Sequence, residues 1–219
     1  MSKGPTLTLN DAKARAGERS PLELIAVMLL GIATVATAWC GYQASQWNGR
    51  ETDEARTGTL QRIEASRLYN LAAQKVAYDA NVTGQYAQAV SEKNTGLATF
   101  IRTNLVRPDF LPFLDDWETK VRAGDGSATN VFENKEYLST QFADSTKATE
   151  LSDASLALSA AASKHGQDYL IATLLTATAL FFAGVTTSFK SSPARMALAT
   201  VAAILLVIVA LRLANLPVA

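Results

Sequence analysis

The chain has one cysteine, Cys40, and one histidine, His165, among 219 residues. A lone cysteine excludes an intrachain disulfide framework and a zinc cluster of cysteines. A lone imidazole leaves a Ser-His-Asp triad a single choice and rules out a three-histidine metal site within one chain. Proline is scarce as well: there is none between Pro21 and Pro108 and none between Pro112 and Pro193. Because proline breaks helix interiors, two long stretches are free to be helical. Net charge is also missing, with 20 Lys and Arg against 20 Asp and Glu and a pI near 6.6. The chain lacks the basic footprint that nucleic acid requires, so nucleic acid is not an expected partner.

Charge is absent locally too: between Glu23 and Arg50, between Asp168 and Lys190, and between Arg195 and Arg212. A bilayer core is about 30 Å thick, so a helix needs roughly 20 mainly apolar residues to cross it. The sequence therefore predicts an all-α membrane protein with three transmembrane helices, over 21–43, 168–190 and 196–215. A cytoplasmic tail (1–20), an extracytoplasmic antiparallel helical hairpin (44–167), a cytoplasmic turn (191–195) and a short end (216–219) complete it. Ser20, Pro21 and Glu23 have the spacing of an N-cap, a first-turn proline and a capping box. The third span is short unless Arg212 snorkels or the helix runs on to Asn215.

Basic residues near the spans set orientation. Lys3, Lys13, Arg15 and Arg19 precede the first span, and Lys190 and Arg195 link the last two, so both segments are expected in the cytoplasm. Trp39, Tyr42, Trp47 and Tyr169 then share the outer boundary as an interfacial aromatic belt. A secretory signal cleaved after Ala36-Thr37-Ala38 is the competing reading. Against it stand the 38-residue leader it needs and the helix-compatible sequence that follows without a break.

Within the spans, the polar side chains are mostly hydroxyls: Thr34, Thr37, Thr173, Thr176, Thr178, Thr186 and Thr200. Bonding back to their own helices is the plain expectation, and an ion path the alternative. Small residues recur at fourfold spacing in Ala33, Thr37 and Gly41, in Ala36, Cys40 and Ala44, in Ala179 and Ala183, and in Ala199 and Ala203. Such ridges allow close helix packing within a chain or between copies. No ionisable residue sits deep in a span, which weakens a proton-coupled transporter.

Outside the membrane, the first helix is expected to continue to about Glu92, with weak points at Gly58, Gly84 and Asn94 to Gly96. Leu60, Ile63, Leu68, Leu71, Ala72, Val76 and Ala80 form its expected inward stripe, of coiled-coil character but drifting from a strict heptad. The return leg runs from about Val131 to Gly166, with Phe132, Leu138, Phe142, Leu151, Leu158 and Ala162 as inward candidates. Burial per alanine is small, so the hairpin is expected to gain stability from self-association or from its membrane anchors, and a homo-oligomer is the preferred reading. Between the legs, a tip over 95–130 holds Pro108 and Pro112 and an aromatic cluster. That cluster caps the hairpin end on the structural reading. On the functional one, Phe110, Phe113 and Trp117 contact a membrane or envelope protein partner.

Candidate chemistry is thin. Asp109, Asp115, Asp116 and Glu118 are the densest acidic cluster, but without calcium-loop spacing they read as a solvated edge. His165, beside Lys164 and Asp168, reads as a polar cap rather than a titrating site. No nucleophile motif accompanies the Ser and Lys residues of 131–167. The expected segment 44–167 carries 13 basic and 16 acidic residues, so it is no polybasic lipid-binding surface. No catalytic, cofactor-binding or metal site is assigned, and no cofactor is expected.

The stretch from Trp39 to Trp47 (WCGYQASQW), the Arg107-to-Phe110 run ending in Trp117, and the short basic link between the last two spans resemble a group of uncharacterised bacterial three-span inner-membrane proteins. The resemblance implies a bacterial inner-membrane location and a helical extracytoplasmic segment. It implies no activity. The expectation is a non-enzymatic, self-associating scaffold or accessory subunit, with a homo-oligomeric channel as the alternative.

Overall fold

A computed structural model describes residues 21–125, 130–189 and 191–219, apart from the side chains of Pro21, Leu22 and Glu133. The expected 1–20 tail with its basic residues and Ser20 cap, Lys190 at the end of the second expected span, and the 126–129 part of the tip lie outside the described residues. The helices are α1 (Pro21–Ser91), α2 (Thr95–Asn104), α3 (Leu111–Arg122), α4 (Lys135–Thr186) and α5 (Ser192–Leu213), with a 3-10 turn at Val131–Glu133. No strand occurs among the described residues. Three of the helices, α1, α4 and α5, are long and apolar enough to cross a membrane.

α1 is continuous through Gly58 and Gly84, where the sequence suggested weakness. It stops where Lys93 takes a left-handed φ of 59° and the Asn94 amide returns to the Ala89 carbonyl. Asn94 then caps α2, its side chain accepting from the Leu97 amide at 3.1 Å. A left-handed residue closing a helix into a cap is the usual way to satisfy its last carbonyls. The positions flagged at Asn94 to Gly96 thus mark a real break, one that Lys93 makes without the glycine such sites favour.

The described residues form two compact units, those up to Asp53 together with those from Leu158 onward, and those from Glu54 to Ala157. In the first, α1, α4 and α5 pack through small residues: Ala26, Ala33, Cys40, Ala172, Ala179, Ala183, Ala199 and Ala202 are buried. Large apolar side chains point outward instead, including Leu24, Met28, Ile32, Val35, Leu170, Leu174, Phe181, Ile204, Val207 and Leu211. Arg195, at the start of α5, lies 3.5 Å from Glu23 at the start of α1.

In the second unit, α1 and α4 run antiparallel: Gly58 meets Ser152, Arg62 pairs with Asp153, Tyr69 touches Phe142 and Asp79 meets Tyr137. Buried positions of α1 recur at seven-residue spacing on Gly58, Ala65, Ala72, Asp79 and Tyr86, joined toward the tip by Val82, Thr83 and Ala89. Gly58 meets buried Ser152 of α4, where Ser145 and Ser155 are buried as well, and Asp79 meets Tyr137. The inward stripe expected from the sequence is therefore displaced in part: Ala72 is buried and Leu68 and Val76 are half-buried, but the large residues at 60, 63 and 71 are not inward. Leu60, Ile63 and Leu71 are 59, 62 and 43% exposed, while the smaller residues make the seam. Close approach is the reason: the Ser152 hydroxyl donates to the Gly58 carbonyl at 2.8 Å, a distance from which a leucine would hold the helices apart.

A Cβ added at Gly58 would stand 2.8 Å from Leu156 Cγ and 3.2 Å from the Ser152 carbonyl oxygen, whereas one at Gly84 meets nothing within 4 Å. Overpacking costs about 1–3 kcal/mol against a helix-propensity gain of about 1 kcal/mol for alanine over glycine. Gly58→Ala is expected to lower the melting temperature followed by circular dichroism, and Gly84→Ala to raise it.

Candidate functional site

The second unit is organised around a buried carboxylate. Asp79, 1% exposed, lies on the seam face of α1. Its Oδ1 accepts from Arg107 Nε at 2.9 Å, and its Oδ2 accepts from an Arg107 terminal nitrogen at 2.7 Å and from the Tyr137 hydroxyl at 2.6 Å. Arg107 also donates to Gln141 at 3.1 Å and to Asp109 at 3.0 Å. A two-pronged guanidinium and a phenol together satisfy a charge that burial would otherwise make costly. The hydrogen bonds to Asp79 hold Arg107 firmly protonated. Desolvation first, and then the bond to Asp79, push Tyr137 above the ordinary tyrosine range.

This clamp ties three distant segments together, and the tip packs over it. Pro108 and Asp109 turn the chain so that the Phe110 and Leu111 amides return to the Arg107 carbonyl. Phe110, 1% exposed, stacks on Phe132 at 5.6 Å and meets the edge of Tyr137 at 5.2 Å. Phe113 meets Tyr137 at 5.3 Å. Val82, Tyr86, Ala89, Ile101, Val106, Leu114 and Val131 complete the core. Of the residues offered as partner contacts, Phe110 is thus interior and Phe113 half-buried. Trp117, also half-buried, lines a groove of about 280 Å³ with Tyr86, Ala87, Val90, Ser91 and Val121, and its indole N–H has no acceptor. A wider groove of about 590 Å³ runs along Arg62, Tyr69, Asn70, Phe142, Thr146 and Glu150.

The acidic cluster is paired rather than merely solvated. Asp109 meets Arg107, Asp115 and Glu118 meet Arg102, Glu118 also meets Arg122, and Asp116 meets Lys120. Among the described residues, no group of three or more His, Cys, Asp or Glu has metal-holding geometry.

In the first unit, all seven span threonines named from the sequence donate to carbonyls of their own helices, at 2.7 to 3.0 Å. The aromatic residues of the expected belt divide. Trp39 and Tyr42 are 47 and 56% exposed, with ring centroids 6.1 Å apart, while Trp47 and Tyr169 are buried. Both buried rings donate to the Pro217 carbonyl, at 3.3 and 3.2 Å, and the Ala219 amide donates to the buried Gln43 at 2.9 Å. Residues 216–219 thus dock on α1 and α4. The His165 ring lies 4.7 Å from that of Trp47, with its Nδ1 buried and unpartnered. Of the small-residue ridges, Ala33, Ala179, Ala183 and Ala199 are buried, and Thr37, Gly41 and Ala203 are half-buried.

Sequence reasoning missed Asp79, Tyr137 and the docking of 216–219. One signal was available for the first: Asp79 continues the seven-residue series of Gly58, Ala65 and Ala72, and a carboxylate on a small-residue face demands a partner.

Asp79→Ala leaves the buried Tyr137 hydroxyl without its acceptor and Arg107 with only Asp109 and Gln141, and is expected to cost about 3 kcal/mol in chemical denaturation. Tyr137 is raised in the folded state, so its stabilisation is complete below the unfolded tyrosine value of about 10 and is lost as pH climbs through the folded value. Tyr137→Phe is expected to lower stability at neutral pH and to flatten its decline in alkali. No protein-family model, curated protein or solved structure matches this chain.

Proposed function

We propose that the chain is a three-span inner-membrane protein that presents residues 44–167 as a helical hairpin outside the cytoplasm and works as a self-associating scaffold or accessory subunit. The observation that carries this reading is the inverted packing, with small residues inside and large apolar residues outside. In the first unit, outward Leu, Ile, Val and Phe side chains suit lipid, which imposes no penalty on them, and alanine seams suit close helix packing. The basic residues at 3–19 and at 190 and 195 favour a cytoplasmic N-terminus.

In the second unit, the same inversion leaves apolar side chains on a surface outside the spans. At 100° per residue, Leu60 and Ile63 lie opposite the Gly58–Ala65–Ala72 seam, with Leu71 on its flank, and all three are exposed. Apolar patches of this kind mark association surfaces. A second copy of the same helix offers the matching face in a two-fold arrangement. The work of such a protein lies in assembly and display, with the Asp79 clamp keeping the tip in one shape.

The experiment is crosslinking with a membrane-impermeant bis-maleimide on a Cys40→Ala background, which removes the only thiol. Ile63→Cys is expected to give a crosslinked dimer in intact cells. Crosslinking only after permeabilisation would reverse the orientation, and its absence under both conditions would remove self-association through this face.

A further inference from the structure

At one end of the spans in the first unit, a groove of about 390 Å³ is lined by Asp168 of α4, by Ile208, Leu211 and Arg212 of α5, and by Asn215 and Leu216 just after it. Its walls are apolar, with Leu211 66% and Ile208 42% exposed. Its charges are opposite and unspent. Neither the Asp168 carboxylate nor the Arg212 guanidinium has an ion-pair or hydrogen-bond partner among the described residues, although both line the same groove. Every acidic residue of the tip cluster, by contrast, has found a base. Asn215 donates its side-chain N–H to the Leu211 carbonyl at 2.9 Å, so its amide oxygen remains as a further acceptor.

We propose that this groove binds the headgroup of a phospholipid that carries a primary amine. The inference rests on the reading that α1, α4 and α5 cross a bilayer. A ligand that satisfies both charges carries a negative and a positive group together, joined to an apolar body. A phosphate diester linked to an ammonium through two carbons is such a ligand. The guanidinium takes the phosphate oxygens through its fork of donors. The carboxylate and the Asn215 oxygen accept from the ammonium. Ile208, Leu211 and Leu216 take the glycerol end and the first methylenes of the acyl chains.

The charges also discriminate among lipids. A purely anionic headgroup meets the Asp168 carboxylate as a like charge. A quaternary ammonium has no N–H to donate to it. The position agrees with the reading from sequence, in which Asp168 and Arg212 bound the second and third spans at the same face of the membrane.

The test is native mass spectrometry of the full chain in mild detergent, titrated separately with phosphatidylethanolamine, phosphatidylglycerol and phosphatidylcholine. The wild type is expected to retain one phosphatidylethanolamine with a preference of roughly tenfold over the other two, a modest free-energy difference for two charge contacts. Asp168→Asn should abolish the preference, Asp168→Glu should keep it, and Arg212→Gln should weaken all phospholipids together. Circular dichroism shows that each variant is folded. Equal retention of the three lipids by the wild type, no retention, or an unchanged preference in Asp168→Asn overturns the assignment. Alkaline carbonate extraction separates the two readings: a chain released from membranes contradicts the spans themselves, whereas a chain that stays and shows no preference contradicts only the groove.

Discussion

The close approach of α1 and α4 is the constraint on which the rest of the molecule depends. In each unit, the two helices meet through glycine, alanine, serine or cysteine, and the contact between the Ser152 hydroxyl and the Gly58 carbonyl shows how near the backbones come. Two consequences follow. Seams built of small side chains bury little area, so polar bonds and a surrounding medium must supply much of the stability. Large apolar side chains, excluded from the seam, are turned outward, where they need either lipid or another protein.

The buried clamp meets the first need in the second unit. Asp79 takes a seam position that a small residue would otherwise fill, and draws Arg107 and Tyr137 onto it from segments 28 and 58 residues away. The aromatic residues of the tip then close over Tyr137. A buried ion pair is weak as a source of net stability and strong as a specifier of one arrangement, because every misaligned alternative leaves the carboxylate unpaired. This explains how a unit with a thin seam holds a defined end. In the first unit, the 216–219 segment does similar work, bringing the Pro217 carbonyl to two buried rings.

The all-helical class and the three apolar helices were legible because they rest on composition and length, which survive any rearrangement of contacts. The break near Asn94 was legible from local turn chemistry. The inward face was not. Leu60, Ile63 and Leu71 read as core because periodicity arguments weigh hydrophobicity, and hydrophobicity does not report how near two backbones must come. Gly58 and Ala65 carry almost no signal on such a scale, yet with Ala72, which the stripe did include, they make the interface. The clamp was hidden for another reason. Its members are far apart in sequence, and Arg107 stood out only as the start of the run that ends in Trp117. The acidic cluster was visible as a cluster, and its pairs with Lys120 and Arg122 are local to α3, but the pairing of Asp115 and Glu118 with Arg102 depends on how α2 and α3 fold back on one another.

The central claim is that large side chains of the first unit face lipid while the second unit stands in water. The three tryptophans, at 39, 47 and 117, report on both halves of it. The direct measurement is fluorescence quenching by brominated phospholipids in reconstituted vesicles, on variants that keep one tryptophan and replace the others with phenylalanine. Trp39 alone, exposed on a span, is expected to be quenched strongly by bromine placed near the headgroups, Trp47 weakly because it is buried, and Trp117 not at all. Trp117 quenched as strongly as Trp39, or Trp39 untouched by bromine at every depth, would contradict the account.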